Sequence, residues 1–110
     1  MPIVAHTWSV SSYNPVQALS TPGRFEGFVE RVPAVRFVPA HSGGRGEGRR
    51  EAIRLAQQHE NVYMDFGGDI YCYPYFEELA ATGLLAKVLY GTDYPWMDTR
   101  SHLTWVYKLE

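Results

Sequence analysis

Four short runs along the chain, at 2–6, 35–41, 61–66 and 87–93, are nearly continuous in apolar, β-branched or aromatic character. Unbroken runs of that length mark strands buried on both faces of a parallel sheet, whereas half-exposed strands alternate. Between them the spacing changes to a helical one. Phe25, Phe28, Val29 and Val32 fall on one helical face before Pro33 stops the helix. Over 49–59, Ala52, Ile53 and Ala56 turn inward while Arg49, Arg50, Glu51 and Arg54 turn outward, with Asn61 as the stop. A third helix is predicted over 75–82, carrying Phe76, Leu79 and Ala80 and capped by Gly83. A fourth runs over 100–109 with Asp98 or Thr99 as its N-cap. Strand–helix alternation of this kind predicts an α/β fold of four parallel β/α units joined by right-handed crossovers, in one domain spanning 1–110.

Composition narrows the functional classes. A net charge of −2 and a pI near 6.1 argue against nucleic acid or an anionic membrane surface as partner. The sequence has no apolar run of membrane-spanning length, and its start lacks the pattern of a secretion signal. Its one cysteine, Cys72, can form no internal disulfide and has no basic neighbour in sequence to activate it. The expected compartment is the cytoplasm. Tyrosines and tryptophans concentrate in predicted loops, at Trp8, Tyr13, Tyr71, Tyr73, Tyr94 and Trp96. There they either cover a core edge or line a pocket.

Three of the four predicted strands end on a residue of catalytic type: His6, His41 and Asp93. In parallel α/β folds the carboxyl ends of the strands form the ligand-binding rim. Two imidazoles and a carboxylate on one rim suit a divalent metal or acid/base chemistry. Around these residues the local sequence carries further signals. They are His41-Ser42-Gly43-Gly44 after a strand, Asn61-Val62-Tyr63-Met64-Asp65, and Leu89-Tyr90-Gly91-Thr92-Asp93-Tyr94-Pro95-Trp96. Together they resemble the H-x-G-G turn, the P-N-V-Y-x-D strand (with Glu60 in place of the proline) and the closing F-G-T-D-Y-P segment of the amidohydrolase-related family. The resemblance is to the branch that includes aminocarboxymuconate-semialdehyde decarboxylase, resorcylate-type decarboxylases and several lactone or amide hydrolases.

The resemblance implies strands five to eight of a (β/α)8 TIM-like barrel, hence half of such a barrel. It implies His6 and Asp93 as metal ligands, with zinc the expected ion. His41 becomes an acid/base or substrate-polarising group, and Asp93 also accepts a proton from attacking water. Trp8, Tyr94 and Trp96 fall on the substrate rim. The reaction implied is hydrolysis or decarboxylation of a small carboxylate, lactone or amide. The family's first strand supplies an H-x-H pair that this chain lacks, and His59 and His102 read as surface histidines. The expectation is therefore a C-terminal fragment that holds metal loosely, and that self-associates or docks onto a missing N-terminal half.

A different class of reading is a phosphate- or nucleotide-binding module. Gly43, Gly44, Gly46 and Gly48 follow a strand and precede a helix, with Arg45, Arg49 and Arg50 nearby and Asp65 further on. The spacing departs from G-x-G-x-x-G, and no G-K-[ST] follows. No nucleophile elbow surrounds Ser42. Asp65 reads as a structural strand-end acid, and Asp69 and Asp98 as loop and cap residues.

Overall fold

The computed structural model describes residues 1–68 and 72–107, and the side chains among them other than those at 72–74 and 105. Asp69, Tyr71 and the side chains of Cys72 and Tyr73 lie outside the described residues.

Among the described residues, four strands and four α-helices alternate in chain order. They are β1 (Ile3–His6), α1 (Glu26–Arg31), β2 (Phe37–Ala40), α2 (Gly46–Gln58), β3 (Met64–Asp65), α3 (Cys72–Ala81), β4 (Val88–Leu89) and α4 (Thr99–Tyr107). β1 pairs with β2 and β3 with β4, both in parallel. A parallel bridge between Phe37 and Val62 joins the two pairs. There Phe37 N donates to Asn61 O at 2.8 Å, and Tyr63 N donates to Phe37 O at 2.9 Å. The strand order is thus β1-β2-β3-β4, with the pairing parallel as the alternation predicts.

The core lies between this sheet and its helices. Phe37, Val62 and Met64 from the sheet meet Val29 of α1, Ala52, Leu55 and Ala56 of α2, and Phe76 and Leu79 of α3. Ala5 and Val88 of the outer strands pack against the same cluster. Their neighbours Val4 and Leu89 therefore point to the opposite face, because side chains alternate along a strand. That face is open: Val4 is 64% and Leu89 43% exposed.

Several local signals act as the sequence predicts. α3 ends in a Schellman motif, with Gly83 at φ +73, Leu84 N donating to Leu79 O at 2.9 Å and Gly83 N to Ala80 O at 3.1 Å. Asp98 caps α4 by accepting the Arg100 backbone N–H at 2.8 Å. The Arg100 side chain bonds the same carboxylate and holds it at about 2, well below the ordinary range.

Other elements differ from expectation. α2 starts at Gly46 rather than 49, and α3 at Cys72 rather than 75. β3 and β4 are two residues each, shorter than the predicted runs at 61–66 and 87–93. Asn61 does not stop α2. The helix ends at an extended His59 (φ −127), and the Asn61 amide instead ties Val29 O and Val35 O together. Arg49 does not point outward. Its guanidinium lies over the Tyr75 ring, 5.3 Å from the centroid, and its Nε is buried without a hydrogen-bond partner among the described residues.

Candidate active site at the carboxyl ends of the strands

β1 delivers His6 at its last position, and Thr7 immediately turns back into the fold. The buried Thr7 hydroxyl donates to Ala40 O at 2.7 Å and accepts from Gly43 N at 3.0 Å, fixing the end of β1 to the end of β2. β2 hands over to a tight turn in which His41 (φ 63) and Ser42 (φ 47) both take the left-handed conformation. Non-glycine residues hold that conformation at a cost of about 1–3 kcal/mol each, and only where their surroundings enforce it. Here Asp65 at the end of β3 does so. Its carboxylate accepts the His41 N–H at 3.2 Å and the Gly67 N–H at 2.7 Å. The Ser42 hydroxyl donates to Asp65 O and meets the Tyr75 hydroxyl at 2.6 Å. Asp65 is thus an organising acid of the strand end. Burial pushes its carboxyl above the ordinary value, with these two N–H bonds pulling the other way and the Asp93 charge adding to the rise.

Beyond β3, Gly67 and Gly68 form a strap between the His41 turn and the end of β4. Gly68 sits at φ +87, and a side chain there would come within 2.6 Å of His41 Nδ1 and 3.4 Å of Asp93 Oδ2. Asp93 itself lies in a turn after β4, also left-handed at φ 63. It is therefore not the last residue of a long strand, as its sequence suggested.

His6, His41 and Asp93 line one cleft of about 340 Å³. The two imidazole rings stand edge to face with centroids 5.1 Å apart. Trp8 lies edge-on to His41 at 5.6 Å and also packs on Gly44, where a Cβ would meet its ring at 2.6 Å. Trp96, 82% exposed, lines the cleft as well. Tyr94 is exposed beside it but is not a lining residue. Tyr13, one of the loop aromatics noted in the sequence, lines the cleft too, and the sequence reading missed Ser11, Asn14 and Gln17 from the same segment between β1 and α1. Nothing in that stretch has strand or helix periodicity, so only its Ser-Tyr-Asn-Pro turn character marked it as surface loop.

Hydrogen bonding sets the proton positions on the rings. A carbonyl can only accept, so His41 Nδ1, 2.8 Å from Gly67 O, carries the proton and leaves Nε2 bare in the neutral ring. His6 Nε2 lies 3.3 Å from Gln17 Oε1, which also accepts from Ser20 Oγ at 2.7 Å. By donor type, the two imidazoles and one carboxylate fit a divalent ion. The arrangement is loose, however. Among the described residues, the trio whose ligand atoms all fall within 4.8 Å of one another is Glu26, Glu30 and His59, at a distance from this cleft in the fold. There Glu26 is already engaged by Arg54 at 2.5 and 3.1 Å.

In the glycine-rich stretch 43–48, Gly43 and Gly48 serve backbone packing. A Cβ on Gly48 would lie 2.0 Å from Gly43 O, and one on Gly43 2.1 Å from Gly48 O. The hollow beside the start of α2 is lined by Glu47 and Glu51 as well as Arg45, and the Arg50 guanidinium is paired to Glu47. Two carboxylates there oppose the anion that a nucleotide-binding loop would receive. His102 is not a surface residue: it is fully buried, stacked on Phe66 with centroids 6.1 Å apart.

The fold has a known counterpart. The structure resembles that of an uncharacterised TIM-barrel protein from Bordetella bronchiseptica, with a TM-score of 0.75 at 20% identity. The match covers 99% of this chain and 38% of that one, so the chain spans well under half the length of its structural relative. The parallel β/α units thus have the architecture of a stretch of TIM barrel. A family model described as amidohydrolase matches residues 2–110, and the chain belongs to the amidohydrolase family. No curated protein matches the chain significantly. Among the described residues, no helix is long and apolar enough to cross a membrane.

Proposed function

We propose that the chain carries strands five to eight of a (β/α)8 barrel of the decarboxylase-like amidohydrolase branch, and contributes half of a metal-dependent active site. The observation that supports this most is the meeting of His6, His41 and Asp93 in one cleft, each reached from the carboxyl end of a different strand. His6 and Asp93 would hold the ion, His6 first releasing Gln17 if it binds through Nε2. A divalent ion there would supply Lewis acidity toward a substrate carbonyl or carboxylate and lower the pKa of a water molecule. Asp93 would accept the proton of the attacking water, and the bare Nε2 of His41 would take or return a proton at the substrate. Trp8 and Trp96 bracket a small ring or chain. Small carboxylates, lactones and amides are the substrate class, turned over by hydrolysis or decarboxylation.

The chain offers too few ligands for a closed site, since a catalytic zinc ordinarily has three protein ligands and an open position. Loose zinc binding is expected by titration calorimetry, lost in Asp93→Ala and in His6→Ala. A complementary N-terminal half bearing an H-x-H pair should tighten it. Zinc binding that is unchanged by both substitutions would refute the site.

A further inference from the structure

Several described side chains of α4 face solvent. Leu103, Val106 and Tyr107 are substantially exposed, and among its described side chains only His102 is fully buried. An imidazole is an expensive choice for a fully buried position of a helix, where leucine or phenylalanine would gain more from the same contact. Its surroundings suggest what the polar atoms are for. His102 Nε2 lies 3.3 Å from Gly68 O, and Ser101 Oγ lies 3.3 Å from Nδ1. One residue earlier, Gly67 O accepts from His41 Nδ1 at 2.8 Å. Two imidazoles on different elements therefore grip consecutive carbonyls of one glycine strap. The strap lacks side chains that could anchor it, and a Cβ at Gly68 would strike His41 Nδ1. Among the described residues it is further tied by the Gly67 N–H to Asp65, and by Gly68 N to Thr92 O at 3.4 Å.

We propose that His102 is a positioning residue: by holding Gly68 O it fixes the Gly67 carbonyl, and so keeps His41 as the Nδ1–H tautomer with Nε2 bare toward the cleft. This deepens the reading of His41 given above and rests on it for its purpose. Losing the His102 donor lets the strap move, and the Gly67 carbonyl no longer selects one ring nitrogen of His41. α4, at the far end of the sequence from β2, thus sets the proton position on a β2 side chain through a backbone segment belonging to neither.

The test is ¹⁵N long-range correlation NMR of histidine-labelled, metal-free chain at pH 8, where an ordinary imidazole is neutral. His41 is expected as a single Nδ1–H tautomer and His102 as Nε2–H. His102→Phe keeps a ring on Phe66 but removes the donor, and should turn the His41 signals into a tautomer mixture. His102→Gln, whose amide nitrogen reaches about as far as Nε2, should restore the single tautomer. A folded His102→Phe chain in which His41 stays wholly Nδ1–H would overturn the proposal. So would finding His102 as Nδ1–H in the unsubstituted chain, a measurement that stands even if His102→Phe does not fold. Neither readout needs metal or substrate, so failure of the metal-site reading and failure of this one are separable.

Discussion

The inner and outer strands of this sheet lead different lives. On β2 and β3, Phe37, Val38 and Met64 are all buried. On β1 and β4, Ala5 and Val88 join the core, while Val4 and Leu89 on the opposite face meet solvent. All four segments have the same unbroken apolar sequence, which signals burial on both faces. The outer pair receives it on one face only. In the proposed half-barrel this open face is the one that the remaining strands would cover, and among the described residues the outer edges of β1 and β4 have no ladder partner.

The sharpest way to break this contrast is to truncate both sides. Phe37→Ala should cost about 3–5 kcal/mol, as for large core aromatics, against a total stability of about 5–15 kcal/mol for such a domain. Val4→Ser should change urea stability by no more than about 0.5 kcal/mol, as at an open surface position. Equal losses would mean that the open face is covered, most simply by another copy of the chain. Sedimentation addresses that directly: self-association is expected at micromolar concentration and should weaken in Val4→Lys with Leu89→Lys. A monomer at all concentrations, with a cooperative melt, would show the face to be self-sufficient.

A smaller effect concerns the tie between the outer strand and the helical layer. Lys87, just before β4, donates from Nζ to Ala56 O at 2.6 Å and His59 O at 2.8 Å, satisfying carbonyls at the end of α2. Lys87→Met keeps the aliphatic stem and leaves those acceptors open, for an expected loss of about 1–3 kcal/mol in a denaturant melt. No loss would mean that water replaces the ammonium and that β4 is held by its ladder alone.

The smallest effect is a pH slope. Asp65 has a raised carboxyl value, so the folded chain binds its proton more tightly than the unfolded chain does. Stability from this group is therefore greatest at and below the ordinary 3.8, and declines as pH rises through the elevated value. Asp65→Asn keeps an oxygen for Gly67 N and should flatten that decline in melting temperature between mildly acidic and neutral pH. A slope unchanged by the substitution would assign it to other carboxylates.

Much of the fold was legible because the strand runs and helix faces obey simple periods. The strand-end positions of His6 and His41 followed from that alone. What escaped was set by contacts distant in sequence. The left-handed turn at His41 is enforced by Asp65, which the sequence marks as a structural strand-end acid without showing which backbone it holds. His102 sits at a position of α4 with weak amphipathic contrast, so its burial depends on Phe66 and Gly68 rather than on its own helix. Ser11, Asn14 and Gln17 come from loop and a short 3-10 turn, where the strand and helix periods carry no information. Arg49 looked solvent-facing because a charge normally is, and the Tyr75 ring that shelters it lies two elements away.

The contact between Gly43 and Gly48 carries a consequence for how sequences of this kind are interpreted. Each glycine is required because the other's carbonyl occupies the space of its Cβ. In a saturation mutagenesis screen both positions should tolerate almost no replacement, and across relatives such a pair would register as invariant. Glycines that cradle a phosphate leave the same statistical trace. A glycine fingerprint therefore reports that something approaches the backbone closely; here the visitor is the chain itself.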